Sequence, residues 1–237
     1  MSDFDRNVAA RGSFSDRAAV VDAGLRAHMI RVYNYMAAAV ALTGVVAMIT
    51  YQTVGQALLQ SPLMWVFVLA PLALVFFISF RIQSLSAATA RLLFFIYAAS
   101  LGLSLSTIFY VYTDTSIARV FFISAASFGA LSLWGYTTQR DLTGMGTFLF
   151  MGLIGIIIAS LVNIFLKSSG LDWMISVIGV GVFAGLTAYD TQKIKEMYDS
   201  RDDDNSTGRK AVMGALRLYL DFINLFLMLL RLVGDRR

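Results

Sequence analysis

Two aspartates stand in apolar surroundings in the last third of the chain. Asp190 ends a nearly apolar run in GLTAYDTQKIKEMY, and Asp221 lies inside the next apolar run, in LYLDFINLF. Ionisable groups in such segments are costly unless they face a cavity or one another. Two carboxylates in contact cannot both ionise freely, so we expect such a pair to share a proton and to titrate in coupled steps. The pattern therefore predicts a proton-sensitive switch.

The composition indicates that the elements carrying these aspartates cross a membrane. Hydrophobic residues make up 58% of the 237 residues, and charged residues only 14%. Seven apolar runs are each near the roughly 20 residues that a membrane-spanning helix needs. We therefore predict an all-α polytopic membrane protein with one bundle of seven helices. The runs are Val32–Tyr51, Leu63–Phe80, Leu92–Tyr112, Val120–Tyr136, Thr147–Leu166, Trp173–Asp190 and Ala211–Val233.

Depth along the helices brings three ionisable side chains to one level. Asp190 lies about 25 Å along the sixth helix from Trp173, close to its inner edge. If Arg217 marks the entry of the seventh helix, Asp221 lies about 6 Å deeper. Arg81 closes the second helix at the same end. The two carboxyl groups and a guanidinium are therefore expected to converge.

Basic residues orient the chain. Thirteen of the nineteen Lys and Arg residues lie in the N-terminal segment and in every second connection, which predicts a cytoplasmic N-terminus. The basic C-terminus opposes this assignment, because seven crossings place it outside and a re-entrant last segment places it inside. We favour seven crossings. The predicted organisation is a polar cytoplasmic segment over 1–31, a transmembrane domain over 32–233 and a short tail over 234–237.

A purely structural interpretation of the acidic pair stays open on spacing alone. In it, Asp190 caps a solvated helix end and Asp221 pairs with Arg217 four residues earlier. Asn163 and Asn224 also lie within spans, where they either bond between helices or line a route.

Several classes of site are excluded or disfavoured by residue counts. The chain has no cysteine and one histidine, so thiolate metal sites, cysteine nucleophiles and histidine-based metal sites are excluded. An intramembrane aspartyl protease also carries a YD aspartate, but the second aspartate here stands in YLDF, without flanking glycine. A proton-coupled secondary transporter uses the same carboxylate chemistry, but no internal repeat is visible. We expect a protein that is not an enzyme.

The segments GLTAYDTQKIKEMY and ALRLYLDFINLFLMLLRLVG, with TTQRDLTGMGTFLFMGLIG upstream, resemble the transmembrane BAX inhibitor motif family. The similarity extends from about Ile30 onward. It implies a central last helix, a pH-sensitive calcium leak and a role in ion homeostasis or stress resistance. It also implies that Asp190 and Asp221 are the pH sensor and that Arg81 is a latch, although here Ile82 and Gln83 follow that arginine.

The partners expected from this resemblance are ions and lipid. Calcium prefers oxygen ligands, and a permeating ion must bind weakly enough to leave. We therefore expect transient calcium near Asp190 and Asp221, with no tightly bound metal and no cofactor. The other expected partners are protons and the lipid bilayer, without nucleic acid, and the expected unit is a monomer. Short loops indicate a bacterial inner membrane.

Overall fold

The structure is a computed structural model that describes the backbone of residues 3–55, 57, 60–62 and 64–237, with side chains from Ala23 onward. Seven long helices follow one another, and each is long and apolar enough to cross a membrane. A 3₁₀ turn, Ile82–Ser84, and a one-turn helix, Ile108–Val111, lie between them. The helices are α1 (Asp3–Thr53), α2 (Met64–Arg81), α3 (Ala87–Leu105), α4 (Asp114–Thr137), α5 (Thr143–Leu166), α6 (Ser169–Glu196) and α7 (Asp204–Val233).

Several helices start before the predicted apolar runs, and in α4, α6 and α7 a capping residue precedes the start. The fourth run was predicted to begin at Val120, but α4 begins at Asp114, where Thr113 accepts a hydrogen bond from the Ser116 backbone N–H. Ser168 and Asp203 cap α6 and α7 in the same way. Such side-chain oxygens satisfy backbone donors that a helix start leaves free. The prediction of seven helices in an all-α fold is confirmed.

The last helix is the centre of the bundle. α7 packs against α1, α3, α4 and α6, whereas α2 packs on α3 and α5 packs on α6. About two-thirds of its most apolar window is buried inside the protein, a larger share than for the other six helices. The last helix therefore lies between two groups of three helices, α1–α3 and α4–α6, as the family resemblance implied.

Aromatic and hydroxyl groups fix the position of α7. The Tyr219 hydroxyl lies 2.6 Å from Thr43 Oγ1, which itself lies 2.9 Å from the Ala98 carbonyl oxygen. The Tyr219 ring also meets the edges of Phe94 and Tyr97, with centroids 5.8 and 5.7 Å away. Such buried polar groups need partners inside the protein. This cluster ties α7 to α1 and α3.

Glycines allow α6 to approach its neighbours. A Cβ on Gly135 of α4 would lie 2.3 Å from the Ala188 carbonyl oxygen, and a Cβ on Gly185 would meet the Leu149 side chain at 2.8 Å. By contrast, a Cβ on Gly181 or Gly155 would meet nothing within 4 Å. Small residues permit close packing of membrane helices. Gly135 and Gly185 therefore serve packing, while Gly181 and Gly155 face open space.

The C-terminal tail lies at the opposite end of the bundle from the α6–α7 connection. Arg236 pairs with Tyr112 in an isolated antiparallel bridge, and the Arg237 guanidinium lies 2.6 Å from Asp114 Oδ1. We call this the tail end, and the end that carries residues 197–203 the basic end. Because α7 is one continuous helix between the two ends, the last segment crosses the bundle once. The re-entrant alternative does not describe the structure.

Ion pairs hold the basic residues of the tail against the bundle. Arg119 pairs with Asp235 at 3.0 Å, and Arg231 and Arg236 lie 3.8 and 4.0 Å from the Asp172 carboxylate. With Arg237 bound to Asp114, the basic residues of the tail face carboxylates. The side of the membrane on which this tail lies stays a prediction.

The orientation in the membrane is a prediction. A reporter inserted beside Asp203, at the basic end, is expected to behave as cytoplasmic, because that end carries most of the Lys and Arg residues. A reporter fused after Arg237 is expected to behave as external. Paired phosphatase and fluorescent-protein fusions measure both positions, and the same answer from both sites would contradict a single crossing by α7.

Candidate functional site

Asp190 and Asp221 meet in one cavity between α5, α6 and α7. The cavity has a volume of about 580 Å³ and is lined by residues that include Thr147, Arg217 and Asn224. Asp221 is 4% exposed and the Asp190 side chain 15% exposed, and both line the same cavity. The structure therefore brings the two predicted sensor residues together. We call this space the aspartate cavity.

One guanidinium accompanies the two carboxyl groups. Arg217 Nη1 lies 3.6 Å from Asp190 Oδ1, and its side chain is 42% exposed. Arg217 lies on α7, one helical turn before Asp221, whereas Asp190 lies on α6. The ion pair therefore joins α7 to α6 and does not link two residues of α7. Asp221 Oδ2 is buried without a hydrogen-bond partner in the described part of the chain. Two acidic groups therefore share one base.

The end of α6 is held in place by bonds to the α4–α5 connection. Gln192 Nε2 donates to the Arg140 carbonyl oxygen at 2.8 Å, and Gln192 Oε1 accepts from the Leu142 backbone N–H at 2.9 Å. Lys195 Nζ donates to the Tyr136 carbonyl oxygen at 3.0 Å. These bonds satisfy the backbone groups of a tight connection and fix the rotation of α6. That rotation directs Asp190 toward α7.

The second wall of the aspartate cavity depends on a small residue in α5. A Cβ on Gly146 would lie 2.3 Å from the Tyr189 ring, so only a glycine lets this ring pack against α5. Tyr189 immediately precedes Asp190 and also lines the cavity. The contact brings α5 alongside the acidic pair.

Arg81 lies apart from this group. Its side chain is exposed at the end of α2, and it forms no ion pair among the residues that the structure describes. In this conformation, the base beside Asp190 is Arg217. The latch role of Arg81 stays a prediction, and it requires a conformation in which α2 lies closer to α6.

The two asparagines lie at different ends of the bundle. Asn224 lines the aspartate cavity and donates from Nδ2 to the Leu220 carbonyl oxygen at 2.8 Å. Asn163 Oδ1 accepts from the Ser168 backbone N–H at 2.9 Å, which closes the turn between α5 and α6. Asn163 therefore has a structural contact near the tail end, while Asn224 belongs to the site.

A second polar cavity lies between the same three helices at the tail end. It has a volume of about 300 Å³ and its polar lining includes Ser160, Asn163, Asp172 and Arg231. Asp172 was not among the site residues predicted from the sequence. Its position just before Trp173, near the start of α6, could have indicated a pairing with Arg231 near the end of the antiparallel α7. We call this space the tail-end cavity.

Apolar residues separate the two cavities. Ile156 of α5 and Met228 of α7 are buried, and both lie between the cavity-lining positions on their helices. A Cβ on Gly179 of α6 would lie 2.8 Å from Met228 Cγ. Within the described residues, no group of three or more His, Cys, Asp or Glu side chains could hold a metal ion. The arrangement places two carboxyl groups in the aspartate cavity and one in the tail-end cavity, with buried apolar residues between them.

Known proteins are similar to this chain over almost its whole length. An uncharacterized protein of Rickettsia prowazekii is 52% identical over 220 residues, covering 91% of this chain and 92% of the relative. The inner membrane protein YbhL of Escherichia coli is 51% identical over 228 residues, covering 94% and 97%. A Deinococcus radiodurans protein is 44% identical over 212 residues, covering 90% and 92%.

The family model described as inhibitor of apoptosis-promoting Bax1 matches residues 25–237. That range contains all of α2 to α7, both aspartates and the two arginines discussed above. The resemblance found in the sequence is confirmed, and this integral membrane protein belongs to the Bax1 inhibitor family.

Proposed function

We propose that the protein is a pH-sensitive calcium leak of a bacterial inner membrane, with a role in ion homeostasis or stress resistance. Protons would control the leak through Asp190 and Asp221. The observation that carries this proposal is a pair of adjoining carboxyl groups inside the bundle that share a single guanidinium. No enzymatic activity is part of the proposal.

Charge balance supplies the switch. With both carboxyl groups ionised, the site holds two negative charges against the one positive charge of Arg217, in surroundings that disfavour unpaired charge. One shared proton balances the site, and the pair then titrates as a unit. A second proton would remove the attraction that holds Arg217 to Asp190. Acidification would therefore loosen the contact between α6 and α7.

The groove between α5, α6 and α7 supports a route for the ion. The aspartate cavity offers oxygens from Asp190, Asp221 and Thr147, and calcium binds such oxygen ligands. Ile156 and Met228 close the groove toward the tail-end cavity, and apolar constrictions of this kind gate channels by excluding water. Conduction would require these residues to part when the α6–α7 contact loosens.

The first prediction concerns the coupling of the two aspartates. We expect Asp190→Asn and Asp221→Asn each to abolish the pH dependence of calcium flux into proteoliposomes, since asparagine keeps the shape and removes the titration. The double variant should add little to either single change, because the residues act as a unit. The fluorescence of a calcium indicator dye inside the vesicles, recorded at roughly pH 5 to 8, measures the calcium flux. Asp199→Asn, in the exposed α6–α7 connection, is the matched control.

A normal pH profile in either single variant, or additive effects in the double variant, would show that the aspartates are independent. Calcium flux that moves protons in the opposite direction with fixed stoichiometry would instead identify a proton-coupled transporter. A pH dye inside the same vesicles separates these two outcomes.

The second prediction separates the two arginines. We expect Arg217→Ala to raise calcium flux at neutral pH, because it removes the ion pair to Asp190. A partly exposed ion pair contributes up to about 1 kcal/mol, which corresponds to roughly a fivefold change in the closed-to-open ratio. Arg81→Ala is the matched comparison, measured in the same proteoliposomes over the same pH range.

The same increase in Arg81→Ala would support the latch role of Arg81, in a conformation that brings α2 to α6. Wild-type flux in Arg81→Ala would assign the latch to Arg217 alone. Wild-type flux and pH dependence in Arg217→Ala would contradict the role of this ion pair in closure.

A further inference from the structure

A third cavity opens on the side of the bundle, away from the aspartate cavity. It lies between α1 and α4, which do not pack against each other in the described structure, and α7 forms its floor. Its volume is about 520 Å³. We call it the lateral cavity. Lining residues from each of these helices include Thr43, Gly44, Ala118, Phe121 and Phe226.

The lining of the lateral cavity is apolar along most of its length. Its wall on α1 runs from Val40 to Gln52, about 18 Å along the helix axis. Its floor is formed by Phe222, Ile223 and Phe226, which are 3 to 6% exposed. Apolar cavities of this kind exclude water, because they offer it too few hydrogen-bond partners.

Polar groups stand at the tail end of this cavity. Tyr51, Gln52 and Asp114 line it there, and the Arg237 guanidinium binds both Asp114 and the Tyr51 hydroxyl, at 2.6 and 3.2 Å. A long apolar body with a polar end matches the polarity of one leg of a phospholipid. The volume is also within the roughly 300 to 1,000 Å³ range of ligand pockets in proteins.

The position of the mouth identifies the medium that can enter. Phe122, which lines the cavity from α4, is 70% exposed, and Met48, which lines it from α1, is 46% exposed. Both belong to helices apolar enough to cross the membrane, so their exposed faces meet lipid hydrocarbon. An unfilled cavity would deprive its lining atoms of van der Waals contacts. The acyl chains of the surrounding lipid can restore these contacts.

We propose that the lateral cavity binds one acyl chain of a membrane phospholipid, with the headgroup at the polar rim formed by Tyr51, Gln52 and Asp114. The bound chain lies against Phe222, Ile223 and Phe226 of α7. This site is separate from the aspartate cavity and does not rest on the proposed conduction of calcium. It gives a lipid chain direct contact with the central helix, about two-thirds of whose most apolar window is buried inside the protein.

Photolabelling tests this site in vesicles of phosphatidylethanolamine and phosphatidylglycerol. A small fraction of the phosphatidylethanolamine carries a diazirine on one acyl chain, and labelled peptides are mapped by mass spectrometry. We expect label on residues 222–226 of α7. Within this segment Phe222, Ile223 and Phe226 are 3 to 6% exposed and line the lateral cavity, so label on these three residues reports a chain inside it.

Three variants of the full chain, in each of which leucine replaces a glycine or an alanine, extend the test. Gly44→Leu fills the cavity from α1, where an added Cβ meets nothing within 4 Å, and Ala118→Leu fills it from α4. Gly155→Leu is the matched control, since its Cβ also meets open space but lies on α5. Label on residues 222–226 should fall several-fold in the first two variants and stay unchanged in the control.

Two results would overturn the proposal. One is label confined to the outward faces of the helices, with none on residues 222–226. The other is label on that segment that persists in both cavity-filling variants, which would show that the probe reaches α7 by another path.

Discussion

Asp221 carries its carboxyl group on the most buried helix of the bundle, beside Asp190 and with Arg217 as the nearby base. Charge buried in a membrane protein is costly unless it is paired. In the proposed mechanism, one guanidinium balances one carboxylate, and the other carboxyl group holds a proton. The packing of α6 against α7 brings these groups together, because α6 supplies one acid and α7 supplies the other acid and the base.

The rest of the bundle holds these two helices in register. Tyr219 and Thr43 bind α7 to α1, while Gln192 binds the end of α6 to the α4–α5 connection. At the tail end, Arg231 meets Asp172 and joins the same two helices again. The middle of the groove is apolar. In the proposed mechanism, this pattern confines proton-sensitive contacts to one end while apolar packing closes the path.

Sequence patterns predicted the number of helices and the meeting of Asp190 with Asp221, because run length and depth along a helix determine them. The central last helix was implied by the family resemblance. The patterns did not predict that Arg217 would contact Asp190 across helices, since this depends on how α6 and α7 rotate about their axes. The start of α4 at Asp114 was also missed, because a cap and not hydropathy sets it. The pairing of Arg237 with Asp114 depends on tertiary contacts between distant segments.

The central claim is that the acidic pair holds one proton at neutral pH, and infrared difference spectroscopy of the reconstituted protein tests it most directly. We expect a protonated-carboxyl band in the wild-type protein at neutral pH. Each of Asp190→Asn and Asp221→Asn should remove that band, because a single carboxylate then faces a single guanidinium. Absence of the band from the wild-type protein, or its persistence unchanged in both variants, would contradict the account.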